Sequence, residues 1–199
     1  VSNYVGQGYM AMVSIIMLPL YLRYLGAEAY GLVGFFAVLQ AWLMIMDMGL
    51  SPSLGRHVAY SRGSQCSSGW IILRKLLRSM EIIFFVLGLG IALTVWLSSE
   101  WLSRKWLNVE QLSLNHVSYS ISLMGIIIAL RLFSSLFRSG IQGMERQVWL
   151  NVANIIVSTL RFIGAYVLLR WISQDVTRFF EYQLLISLIE VGLFYYGLY

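Results

Sequence analysis

Proline, histidine, cysteine and charge are all scarce in this chain. Of 199 residues, 2 are Pro, 2 are His and 1 is Cys, and the charged types make up 12%. The single Cys66 excludes an intramolecular disulfide and any cysteine-rich metal site, and the distant His57 and His116 offer no ligand cluster, so no metal or cofactor is expected. Also missing are a nucleophile elbow, a Gly-rich phosphate loop with its lysine, and a pair of acids arranged with a histidine, so no catalytic residue is expected. So little charge argues against a disordered or coiled-coil chain. The formal charge of +5 comes from 14 basic residues scattered between apolar stretches, which is no footprint for nucleic acid.

What is present is apolar: 59% of the chain is AVILMFWYC, with 17 Gly besides. A soluble domain averages about 45–50% with Gly included, so the excess belongs in a bilayer. A helix needs about 20 residues to cross roughly 30 Å of hydrocarbon. Six segments meet or approach that length, at about 4–22, 31–50, 80–99, 118–137, 149–169 and 179–198. The expectation is an all-α, polytopic transmembrane bundle. The first residue, Val1, and an apolar run still continuing at Tyr199 suggest a fragment of something longer.

The longest connection, Ser51 to Ser79, carries Arg56, Arg62, Arg74, Lys75 and Arg78 with no acid, and Arg138 and Arg146 flank a later one. The opposite side collects Arg23, Arg104, Lys105, Arg170 and Arg178 together with Glu28, Glu100, Glu110 and Asp175. Seven bases against five place the first set, and the N-terminus, in the cytoplasm. Trp70–Leu73 ahead of Arg74 is either a short interfacial helix on anionic lipid or part of a helix extended past the membrane. Trp96, Trp101, Trp106, Trp149 and Trp171 fall near span ends, where amphipathic rings settle.

Polar residues inside the spans form stripes. At 100° per residue, Asn3, Gln7, Ser14 and Tyr21 fall within about 40° of arc. Ser120, Arg131, Ser134 and Arg138 fall within about 60°, and Asn151, Asn154, Ser158 and Arg161 within about 80°. Gln40 and Asp47 share a face of the second span. Burying a guanidinium in hydrocarbon is penalised by at least about 2.5–3.5 kcal/mol, so Arg131 and Arg161 are read as facing a polar lumen. Arg138 either joins them or snorkels to the interface. Asp47 pairs with Arg161, caps a neighbouring helix, or couples an ion; Glu190 is an ion relay or an arginine's partner. A guanidinium presents a planar fork of donors to phosphate or carboxylate, so arginines outnumbering deep acids select an anion. Gly88 and Gly90 are read as small residues allowing close helix approach, and Ser139–Gly143 as a helix C-terminal turn.

The run Pro19-Leu20-Tyr21-Leu22-Arg23-Tyr24-Leu25-Gly26-Ala27-Glu28-Ala29-Tyr30-Gly31, followed by Asp47-Met48-Gly49-Leu50, resembles the opening of the bacterial polysaccharide-export flippases, the O-antigen and exopolysaccharide translocases. Gly140-Ile141-Gln142-Gly143-Met144-Glu145-Arg146, with Asn151 and Arg161 beyond it, is similar to that family's region between its fourth and fifth spans. The likeness extends over essentially the whole chain. It implies the N-terminal lobe of a transporter of the multidrug, oligosaccharidyl-lipid and polysaccharide exporter superfamily, with 12–14 spans in two lobes. The implied substrate is an oligosaccharide on an undecaprenyl pyrophosphate carrier, moved to the outer leaflet of the bacterial cytoplasmic membrane by alternating access. Arg23, Arg131 and Arg161 match the family's cavity arginines, and Arg138, Asn154 and Gln7 join them as substrate-facing candidates; Asp47 and Glu190 are the ion-coupling candidates. Membrane lipids and the polymerase and glycosyltransferases of the pathway are the implied partners. A drug or cation antiporter of the same superfamily and a non-transporting membrane subunit of a polysaccharide-synthesis complex are the alternatives.

Overall fold

The computed structural model describes residues 2–47, 49–63, 67–105 and 113–199, and all its regular elements are helical. They are α1 (Ser2–Leu25), α2 (Ala27–Met46), α3 (Leu50–Gly63), α4 (Ser67–Lys105), α5 (Leu114–Gly143), α6 (Gln147–Thr159), a π-helical turn (Leu160–Gly164), α7 (Ala165–Trp171) and α8 (Val176–Leu198). Gly26 makes the tight α1–α2 connection at φ 81°, a left-handed conformation that glycine adopts without a Cβ clash. Ser113 caps α5 by accepting from the His116 amide, and Asp175 caps α8 by accepting from Thr177.

Among the described residues, four helical stretches are long and apolar enough to cross a membrane: Gly8–Leu25, Arg74–Lys105, Leu114–Gly143 and Gln147–Trp171. Six spans were expected. The apolar part of α2, Ala27–Leu43, is shorter, and α8 carries Arg178, Glu181, Gln183 and Glu190, which lower its apolarity although it has 23 residues. The segment read as a loop from Ser51 to Ser79 is helical over most of its length. The chain turns at Asp47, forms α3, and then enters α4, whose 39 residues reach about 58 Å, nearly twice the hydrocarbon thickness. Trp70–Leu73 therefore belongs to a helix continued past the membrane, not to a separate interfacial one. The helix α5 likewise runs on through Ser139–Gly143, so Arg138 sits on a helix and not in a loop.

The central element is α5, which packs on α4, α8 and α3 and carries buried residues along its whole length. Two apolar clusters form around it. One joins Tyr21, Leu32, Phe36, Ile121, Ile127, Leu169 and Phe180; the other joins Leu54, Val58, Phe84, Leu136, Ile141, Leu150 and Phe194. The first gathers the end of α1, the start of α5 and the start of α8, and the second gathers α3, the end of α5 and the end of α8. Successive long helices thus run in alternating directions. Exposed Ile82, Phe85, Val86, Leu89, Leu93 and Leu97 give α4 an apolar outer face, as a helix in contact with lipid requires. Trp96, Trp101 and Trp171 are exposed toward the first-cluster end; Trp106 lies outside the described residues, and Trp149 packs on Phe194.

Two close approaches fix α3 against α5. A Cβ on Gly55 would lie 3.1 Å from the Ser139 carbonyl oxygen, and one on Gly143 would lie 2.8 Å from Val58 Cβ. Gly88 packs on Ala129, where a Cβ would meet Ala129 Cβ at 3.4 Å, whereas Gly90 faces open space and has no such role. The contrast yields a measurable pair. Gly143→Val should lower the stability of the purified protein by about 1–3 kcal/mol through overpacking of the α3–α5 seam. Gly90→Ala, on the open face of α4, should leave the melting temperature unchanged or raise it.

Candidate functional site

A polar layer separates the two apolar clusters at the same level of several helices. On α5 it is Arg131, between Ile128 of one cluster and Leu132 of the other. On α8 it is Gln183, Ser187 and Glu190, between Phe180 and Phe194; all three are buried. On α6 and the π-helical turn it comprises the buried Asn154 and the partly buried Arg161, between Ala153 and Ala165. Arg131 lies about 18 Å along α5 from its Gly143 end, well inside the span.

Glu190 is the centre of the layer. Its side chain is 4% exposed, one carboxylate oxygen accepts from Arg138 Nη2 at 3.4 Å, and the other accepts from Arg161 Nη2. The two arginines come from different elements, α5 and the π-helical turn, so one carboxylate ties both to α8. Arg131 makes no ion pair among the described residues. Its guanidinium lies 5.1 Å from the Phe36 ring centroid, Nε is buried without a hydrogen-bond partner, and the charges acting on it are Arg161, Glu190 and Arg138. Arg138 stands 5.2 Å from the Phe194 ring, and 45% of its side chain is exposed, which opens the cluster to the surface. Two guanidiniums hold one carboxylate and a third lies in the same layer, leaving an excess of positive charge.

The π-helical turn positions Arg161. A π-turn widens the helix and displaces its carbonyls from the i→i−4 ladder, a feature concentrated at functional sites. Here three successive carbonyls take side-chain donors: Tyr182 hydroxyl donates to Leu160 O at 2.8 Å, Gln183 Nε2 to Arg161 O at 3.4 Å, and Tyr21 hydroxyl to Phe162 O at 2.8 Å. A Cβ on Gly164 would overlap the Tyr182 hydroxyl, so glycine is needed where α8 comes closest. The even 100° progression from Asn151 to Arg161 therefore ends at Thr159, and the polar stripe inferred from it changes register there.

The remaining candidates are placed elsewhere. Asp47 Oδ1 accepts from the Ser51 hydroxyl at 2.6 Å and the Ser51 amide at 3.3 Å, and Ser51 in turn lies 3.1 Å from the Ser135 hydroxyl. That is the capping arrangement, at the break between α2 and α3, with no ion pair to Arg161. Arg23 is exposed in the last turn of α1, near Tyr166 at the first-cluster end, apart from the arginines of the polar layer. Gln7 lies on α1, and its side chain, like those of Asn3 and Ser14, falls outside the described residues. Among the described residues no group of three or more His, Cys, Asp or Glu is placed to hold a metal ion.

Gln183, Ser187, Phe36, Phe194 and Tyr182 complete the site without having been singled out in the sequence. Gln183, Ser187 and Glu190 lie within about 60° on α8, so their shared face is visible in the spacing. The ring positions carry no comparable signal, because an aromatic over a guanidinium reads as ordinary core. Removing one π-turn donor has a defined cost: Tyr21→Phe and Tyr182→Phe should each destabilise the protein by about 1 kcal/mol, read from thermal unfolding, with the buried Tyr21 the more sensitive.

The whole chain, residues 1–199, matches the family model described as polysaccharide biosynthesis protein. No curated protein and no solved structure matches it. With the match extending over every residue, the chain belongs to the polysaccharide biosynthesis protein family, and its role lies in the making or export of polysaccharide.

Proposed function

We propose that this chain is a lobe of a transporter that moves an oligosaccharide on an undecaprenyl pyrophosphate carrier from the inner to the outer leaflet of the bacterial cytoplasmic membrane by alternating access. The observation that carries the reading is the cluster of partly buried Arg131 and Arg161 and surface-reaching Arg138 near the buried Glu190, an excess of guanidinium inside an apolar bundle. A diphosphate group supplies the oxygens that such forks bind, while the polyprenyl tail stays in lipid. No bond of the substrate needs to break. The broken helix at Asp47 and the π-turn at Arg161 are interruptions of the kind that transporters place near their sites.

The cation-antiporter alternative needs an acid free to take up a proton or metal ion. Both intramembrane candidates are engaged: Asp47 with Ser51, Glu190 with two arginines. This favours the anionic substrate. In a non-transporting subunit the same arginines would serve assembly alone, and their loss would remove the protein and not its turnover.

The deciding measurement is flipping of a lipid-linked oligosaccharide by the full-length protein in reconstituted vesicles, with and without a proton or sodium gradient. Arg131→Gln and Arg161→Gln should each reduce flipping about tenfold or more at wild-type abundance, the scale of losing one buried charge contact. Normal flipping by both variants would remove their substrate role. Dependence on Asp47 without any need for lipid-linked glycan would install the antiporter reading instead.

A further inference from the structure

The anion-binding reading leaves a physical problem, which is release. Three arginines, two of them in a water-poor layer, would hold a diphosphate strongly, because charge-assisted hydrogen bonds gain strength as the local dielectric falls. A transporter must bind well enough to load and weakly enough to unload.

Glu190 has the geometry to solve it. Its two carboxylate oxygens reach two guanidiniums on separate elements, spanning them much as two oxygens of one phosphate group would. The carboxylate is carried on α8, whereas the arginines are carried on α5 and the π-helical turn, so relative movement of these elements changes its grip. Its neighbours on α8 are committed elsewhere: Ser187 donates to the Gln183 carbonyl at 2.9 Å, and Gln183 Nε2 supports the Arg161 carbonyl. Arg131, Arg138 and Arg161 all feel Glu190, and among the described residues it is the acid that they share.

We propose that Glu190 is the release residue of the arginine site: empty, the site holds its own carboxylate on Arg138 and Arg161, and that carboxylate competes with the phosphate oxygens of an anionic carrier for the same donors. The inference rests on the anion-binding reading above and adds to it a positioning residue that sets how tightly the anion is held. Exchange of one oxyanion for another keeps the guanidiniums satisfied throughout. Loading displaces Glu190 from one or both arginines, and its return expels the phosphate.

The test uses the full-length protein in nanodiscs with inorganic pyrophosphate as the probe, and lipid-linked oligosaccharide flipping in vesicles as the turnover readout. Glu190→Gln should bind pyrophosphate about tenfold tighter or more, and flip more slowly. Glu190→Asp, one methylene shorter and still charged, should tighten binding to a lesser degree. A purely structural Glu190 predicts the opposite, with affinity and turnover falling together. Arg161→Gln separates the two levels. If it leaves pyrophosphate affinity unchanged, the anion-binding reading fails and the release role with it. If it weakens binding while neither Glu190 variant binds tighter, only the release role fails. Should Glu190→Gln not accumulate, Glu190→Asp decides alone, with unchanged or weaker binding overturning the proposal.

Discussion

The bridge from Glu190 to Arg138 and Arg161 constrains the rest of the bundle. Taking a carboxylate and a guanidinium out of water costs several kcal/mol per ion, and breaking such a pair by removing one partner costs about 3–5 kcal/mol. The arrangement therefore requires that α5, the π-helical turn and α8 meet at one level. The apolar clusters on either side answer that requirement, since Phe36 closes the layer over Arg131 and Phe194 closes it beside Arg138. Each cluster ends where the charges begin, at Ile128 and Leu132 on α5 and at Phe180 and Phe194 on α8.

The π-helical turn is the local solution to that constraint. Arg161 has to reach α8 from a helix that also packs on α1, and a regular α-helix would leave its carbonyls bonded within the helix and unavailable to neighbours. Widening the turn exposes three carbonyls, and Tyr21 from α1 with Tyr182 and Gln183 from α8 takes them up. The backbone that carries Arg161 is thus held by two neighbouring helices. Gly164 accommodates this approach, because a Cβ there would displace the Tyr182 hydroxyl.

The apolar excess made the helical membrane bundle legible from composition alone, and the 100° test picked out Arg131, Arg138 and Arg161 because α5 and α6 are regular up to Thr159. Other features were hidden for physical reasons. Of the six segments counted from apolar runs, four coincide, among the described residues, with helices long and apolar enough to cross on their own, whereas α8 carries its polar face inward and the apolar part of α2 is short. Ser51–Gly63 looked like loop since its polar face carries Ser53, Arg56 and His57, yet Leu54 and Val58 bury the other side on α5. The π-turn has no residue signature apart from Gly164, because its stabilising donors come from residues far away in sequence. Asp47 had three readings, and only the third dimension shows its hydrogen bonds to Ser51.

Two groups of basic residues in this chain act through different physics. Arg56, Arg74, Lys75, Arg78 and Arg146 are exposed around α3, the start of α4 and the α5–α6 turn, the end of the bundle where Arg138 is also accessible. Long-range attraction from such a belt acts on any anionic head group and is screened within about 8 Å at physiological salt, so it concentrates without selecting. Arg131 and Arg161 lie deeper, where screening is weak and donor geometry decides what binds. Under the proposed function, Arg138 joins the two, sharing the carboxylate with Arg161 while facing the surface on which the belt gathers anions. On that reading the order from belt to Arg138 to the deep pair is a gradient of increasing selectivity, and the proposed release role of Glu190 at its centre keeps the last step reversible.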